Sequence, residues 1–122
     1  MTNDILDFTS EQFKELYNKL EGEPEFKIYF SNHSNVYMII KYSAKVSFQR
    51  CGVSNGSGEF YFDSLNSLFA ANTIDNICLE KDWGSIMDII VDDWYHLSDK
   101  NDLNKLYNNQ NENGMISTFP FR

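Results

Sequence analysis

Positive charge is scarce in this chain. Ten basic residues face 18 acidic ones over 122 residues, the formal net charge is −8, and Arg50 and Arg122 are the only arginines. A protein that holds nucleic acid by neutralising phosphates needs a broad basic face, so that role loses its main support. Long apolar runs are missing too, and none approaches the ~18 to 20 residues that cross a bilayer. The opening MTNDILDF is acidic and lacks the basic-then-apolar layout of a secretion leader. The expectation is a soluble chain in the cytoplasm of a bacterial host, with no membrane partner. Cysteine occurs only as Cys51 and Cys78, without CxxC or zinc-type Cys/His spacing. These read as small core residues rather than as a disulfide or a zinc site. No GxSxG, HExxH or dinucleotide fingerprint occurs. The glycines of Ser54–Gly58 lack the lysine and the strand-to-helix setting of a phosphate loop. The reading is non-enzymatic, with no cofactor and no resident metal.

Apolar residues make up 42% of the chain and aromatics 16%, enough for one packed core and too much for a disordered chain. A single α+β domain over 1–122 is expected, with the asparagine-rich end from about 109 set apart as a mobile tail. Thr9 and Gln12 form a capping box, Phe8 and Phe13 can staple the chain entry, and Phe13, Leu16, Tyr17 and Leu20 repeat at helical spacing. A helix over 10–21 follows, stopped by Gly22 and Pro24. The period then drops to two. Phe26, Ile28 and Phe30 form one strand, and Val36, Met38, Ile40, Tyr42, Ala44, Val46 and Phe48 share one face of a long strand or of two shorter ones in phase. Glu59–Phe62 adds another. This is a sheet of three to four antiparallel strands with Lys41, Ser43, Lys45, Ser47 and Gln49 on its wet face.

Helices are expected to follow the sheet, two to three of them. Asp63 or Ser64 caps a short one with Leu65, Leu68 and Phe69 inward. Trp83, Ile86, Met87, Ile90, Trp94 and Leu97 recur at helical spacing and predict the largest helix, although the β-branched run Ile86–Val91 allows a further strand. A last helix near 101–109 presents Leu103, Leu106 and Tyr107, and Met115, Ile116, Phe119 and Phe121 could dock as an edge segment.

On a helix, Asp88, Asp92 and His96 would line one face and offer ligands to a hard divalent cation, which makes a small metal-dependent enzyme the alternative function, with a solvated acidic stripe as the plainer reading. Cys51 could pair with His33 or His96 as thiolate and base, but no orienting partner supports it. Lys27, Lys41 and Lys45, with Tyr37, would form a weakly basic sheet face that could contact RNA; the balance of charge favours no direct nucleic-acid binding. Carboxylates gather in Glu21, Glu23 and Glu25 and again along Asp88, Asp92 and Asp93. Such clusters would be drawn to a basic groove on a protein partner. Tyr29, Tyr37, Tyr61 and Tyr95 fall off the main core phases and would supply contact anchors, Tyr95 beside the aspartates in particular. Oligomeric state is left open, with a dimer through a strand edge allowed.

Segments such as Tyr107–Asn111, the stretch Phe62–Phe69, and Ile74–Asn76 with Leu79–Trp83 resemble small proteins of phages and mobile elements of AT-rich Gram-positive bacteria. Anti-CRISPR inhibitors share these traits, and so do immunity proteins that neutralise bacterial toxins. The resemblance implies stoichiometric binding to a Cas effector or a toxin nuclease, and carries over no specific residue.

Overall fold

The computed structural model describes residues 7–52 and 58–113, and side chains through 107. Helix α1 (Ser10–Lys19) opens the fold. Its capping box is formed: the Thr9 hydroxyl accepts the Gln12 N–H and the Gln12 side chain accepts the Thr9 N–H. Then come β1 (Glu25–Phe30), β2 (Val36–Lys41), β3 (Val46–Arg50), β4 (Glu59–Phe62), α2 (Leu65–Ala70), α3 (Leu79–Asp82), a 3₁₀ turn (Trp83–Ser85), β5 (Ile86–Val91), β6 (Tyr95–His96) and α4 (Lys100–Asn113). The class is α+β. Among the described residues all six strands join one antiparallel sheet in the order β4-β3-β2-β1-β5-β6.

One face of that sheet holds the core. Phe26, Ile28 and Phe30 of β1, Tyr37 and Ile39 of β2, Val46 and Phe48 of β3, and Ile86, Ile89 and Val91 of β5 join Phe13, Leu16 and Leu20 beneath the helices. Phe13 is fully buried, with its ring 5.0 Å from Phe26 and 5.4 Å from Trp83. Trp83 is tied in by a 2.8 Å bond from its Nε1–H to the Phe8 carbonyl. On α2, Ser64 and not Asp63 is the cap, accepting the Ser67 N–H. The last helix, α4, is longer than expected and buries Leu106. The opposite sheet face stays half-open, with Lys27, Tyr29, Met38, Gln49, Asp88 and Ile90 all partly exposed.

The structure corrects three expectations. No helix runs from 83 to 97, and the sheet has six strands rather than three or four. A β-bulge explains the false helical period. Tyr29 pairs with Asp88 but Phe30 with Ile86, so Met87 is the extra residue. Ile86 and Ile89 therefore point the same way three positions apart, as they would on a helix. The third correction concerns phase. Residues 36–50 form a hairpin whose pairs include Lys41 with Val46 and Ile39 with Phe48. An even-numbered position thus faces an odd one, and the inward set switches from Tyr37 and Ile39 in β2 to Val46 and Phe48 in β3. Val36 and Met38 lie on the half-open face instead. The edge-docking segment expected at 115–121 lies outside the described residues.

Candidate functional site

Part of each expected carboxylate cluster, Glu25 of one and Asp92 and Asp93 of the other, comes together at one end of the sheet, by a route that residue spacing did not foretell. Strands β1 and β5 are antiparallel neighbours, so the start of β1 lies beside the end of β5. Asp92 donates its N–H to the Glu25 carbonyl at 2.8 Å, and its carboxylate accepts the Glu25 N–H at 3.0 Å. Asp93 reaches Lys27 across 2.6 Å. Burial raises the pKa of the Glu25 carboxyl, and the charges of Asp92 and Asp93 raise it further, against the opposing charge of Lys27. Glu21 and Glu23 stand exposed on the connection that leads from α1 into β1.

A strained turn presents this end. The Trp94 N–H closes onto the Val91 carbonyl at 3.0 Å, and both central residues are left-handed, Asp92 at φ 53° and Asp93 at φ 58°. Asparagine and glycine are the usual occupants of such primed turns; aspartate tolerates them at a cost. The turn throws Trp94 outward, where it is 62% exposed. Tyr95, expected as the contact aromatic, pairs with Val91 on the inner face and is 5% exposed. Tyr37 is likewise buried, whereas Tyr61 is exposed and Tyr29 intermediate. Helical spacing concealed Trp94 by placing it on an apolar stripe. Two adjacent aspartates between β-branched runs were the available signal for a turn.

Asp88 does not join this group. It lies four residues before Asp92 on β5, about 13 Å at strand rise, and is occupied locally. Its Oδ1 accepts the Ile89 and Ser98 N–H groups, and its Oδ2 lies 2.6 Å from His96 Nδ1. The helical metal face of Asp88, Asp92 and His96 is therefore not formed, and among the described residues no group of three or more ligands could hold a metal ion. Cys51 and Cys78 are free thiols. Burial pushes the Cys51 thiol above its ordinary pKa, which works against a thiolate. His33 packs edge-on against Phe30 and Tyr37.

The basic face is also dispersed. Lys27 lies on the half-open face. Lys41 points to the helices, donating to the Tyr17 and Leu20 carbonyls at the end of α1, and Lys45 sits in the β2–β3 turn over the Tyr61 ring. Tyr37 is turned inward, its hydroxyl on Asp75 at 2.5 Å. Other acids serve the fold rather than one flank: Asp75 meets Arg50, Asp82 accepts the Cys78 N–H, and Asp102 accepts the His96 N–H. Among the described residues no helix is long and apolar enough to cross a membrane. Comparison with protein-family models, curated proteins and solved structures finds no match for the chain.

Proposed function

We propose that this chain is a non-enzymatic inhibitor that occludes a basic surface of a nucleic-acid-acting protein, a Cas effector nuclease in the first instance. One observation carries the reading: Trp94 stands exposed on a strained turn whose neighbours are Asp92, Asp93 and Glu25. A large exposed aromatic directly following two aspartates suits a cationic groove. The charges steer the encounter, and the indole fills a pocket once water has left. Glu21 and Glu23 extend the same negative end. Asp88 and Tyr95 belong to the support of the site, since one is committed to backbone N–H groups and the other is buried.

Stoichiometric blockade is the test. DNA cleavage by candidate Cas effectors should fall linearly as the chain is added and reach zero at a fixed ratio. The double variant Asp92→Lys, Asp93→Lys should relieve that block. Unchanged inhibition by the double variant would remove the acidic-groove mechanism. The second reading, immunity against a toxin nuclease, uses the same surface. Gene neighbourhood separates the two: an adjacent toxin gene supports immunity, and a phage cassette supports CRISPR inhibition.

A further inference from the structure

The two edges of the sheet are built differently. At one, β6 is two residues long, and Asp102 of α4 accepts its outward His96 N–H at 3.0 Å. At the other, β4 runs four residues in unbroken register without proline, and among the described residues no strand lies beyond it. Such an edge invites a further strand. The ladder shows which of its backbone groups are unused. The Cys51 N–H bonds the Val36 carbonyl and the Tyr42 N–H the Lys45 carbonyl, so odd-numbered residues of β3 face β2, while Val46 and Phe48 face β4. Phe62 and Phe60 answer those two, which leaves the N–H and C=O groups of Glu59 and Tyr61 directed outward. Phe60 and Tyr61 are also 40% and 51% exposed, two of the four exposed large apolar side chains among the described residues.

We propose that β4 pairs antiparallel with β4 of a second copy of this chain, joining the two sheets across a twofold axis. Hydrogen bonding requires an outward residue opposite an outward one, and only two such registers overlap most of the strand. Tyr61 opposite its own copy sets Glu59 against the partner's Asp63, and like charges directly opposed repel. Phe60 opposite its own copy sets Glu59 across from the partner's Tyr61 instead. That ring carries Lys45 at 4.0 Å, an ammonium with no carboxylate within ion-pair distance among the described residues. Symmetry makes this charge match twice. The two Phe60 side chains then meet on the axis as a non-hydrogen-bonded pair, the closer kind, and cover each other. The second register is therefore the one chosen. Trp94 lies toward the far edge of the sheet and stays open.

Sedimentation velocity of the full chain should show the 14.3 kDa species moving toward twice that mass as its concentration rises to about 0.5 mM. Glu59→Lys and Lys45→Glu should each weaken association about tenfold at unchanged melting temperature in dilute solution. An equimolar mixture of the two variants should restore it, because every facing pair then joins opposite charges. Crosslinking reads the register. In a Cys51→Ser background, Phe60→Cys should form an intermolecular disulfide on mild oxidation, since its own copy lies opposite with Cα atoms about 4.5 Å away. Tyr61→Cys should not, because its own copy lies two residues out of line, beyond the ~7 Å that a disulfide spans. None of these variants alters Trp94, Asp92 or Asp93, so this test and that of the inhibitor role fail independently. Any of three results overturns the proposal: a monomer at about 0.5 mM, no recovery on mixing, or a disulfide through Tyr61→Cys and none through Phe60→Cys.

Discussion

Replacing Asp93 by glycine should stabilise the protein while deleting one of its presented charges. Asp93 sits at φ 58° directly after Asp92 at φ 53°. A left-handed L-residue carries roughly 1–2 kcal/mol of strain that glycine does not. Two effects oppose that gain. Glycine loosens the unfolded chain, at about 0.6 kcal/mol. The Lys27–Asp93 ion pair is lost, but its side chains are 33% and 65% exposed, so water and salt reduce it to about 0.3 kcal/mol. Strain relief wins by about 0.5 kcal/mol, or roughly 2 °C in melting temperature for a domain of this size. Asp93→Ala loses the pair and keeps the strain, so it should melt below the parent. Scanning calorimetry of the three proteins side by side decides the matter. A glycine variant less stable than the alanine variant would refute the strain argument and show that backbone strain at Asp93 is negligible. Strain kept where a simple substitution removes it is what a presenting turn would show.

Other perturbations probe the scaffold. Phe13→Ala empties the meeting point of the Phe26, Phe69 and Trp83 rings and should cost about 3–5 kcal/mol in urea unfolding. Trp83→Phe keeps most of the packing but strands the Phe8 carbonyl, and about 1–2 kcal/mol should be lost by the same assay. At Asp75, the Tyr37 hydroxyl and then Arg50 hold the carboxyl below its ordinary pKa, while burial and that bond push Tyr37 up to about 12. A depressed carboxyl stabilises the fold above its unfolded pKa of about 3.9 and loses that contribution as pH falls through the folded value. The melting gap between the parent and Asp75→Asn should therefore be constant from pH 5 to 8 and close below about pH 4. A gap that persists at pH 2 would contradict the assignment.

Local signals in the sequence were strong where one element decides its own structure. The Thr9–Gln12 capping box and the Phe13, Leu16 and Tyr17 stripe needed no tertiary context, and α1 begins where they place it. The alternation at Phe26, Ile28 and Phe30 gave β1 its inward face correctly. Legibility ended where partner strands set the phase. The bulge opposite Tyr29 and Phe30 makes Ile86 and Ile89 imitate a helical repeat, and no residue near them reports it. Likewise, the hairpin between β2 and β3 inverts parity, so a single apolar phase through 36–48 reads smoothly and misassigns Val36 and Met38.

The same limit governed the candidate site. Adjacency groups Glu25 with Glu21 and Glu23, and helical spacing groups Asp92 with Asp88. The fold pairs Glu25 with Asp92 across 67 residues and leaves Asp88 with His96. What was legible was the composition of the site, an excess of carboxylate with aromatics close by. Its membership depended on β1 and β5 being neighbours. Trp94 became its most exposed large side chain only through the turn at Asp92 and Asp93.

The central claim is that the Trp94 end is the surface that meets the target. Its most direct measurement is the affinity of Trp94→Ala for the nuclease proposed as the target, beside Tyr61→Ala as a control of similar exposure, 51%, at the β4 edge. Loss of about 2 kcal/mol, near thirtyfold, is expected for Trp94→Ala at unchanged melting temperature, with no change for Tyr61→Ala. Full affinity in Trp94→Ala, or a loss confined to Tyr61→Ala, would contradict it.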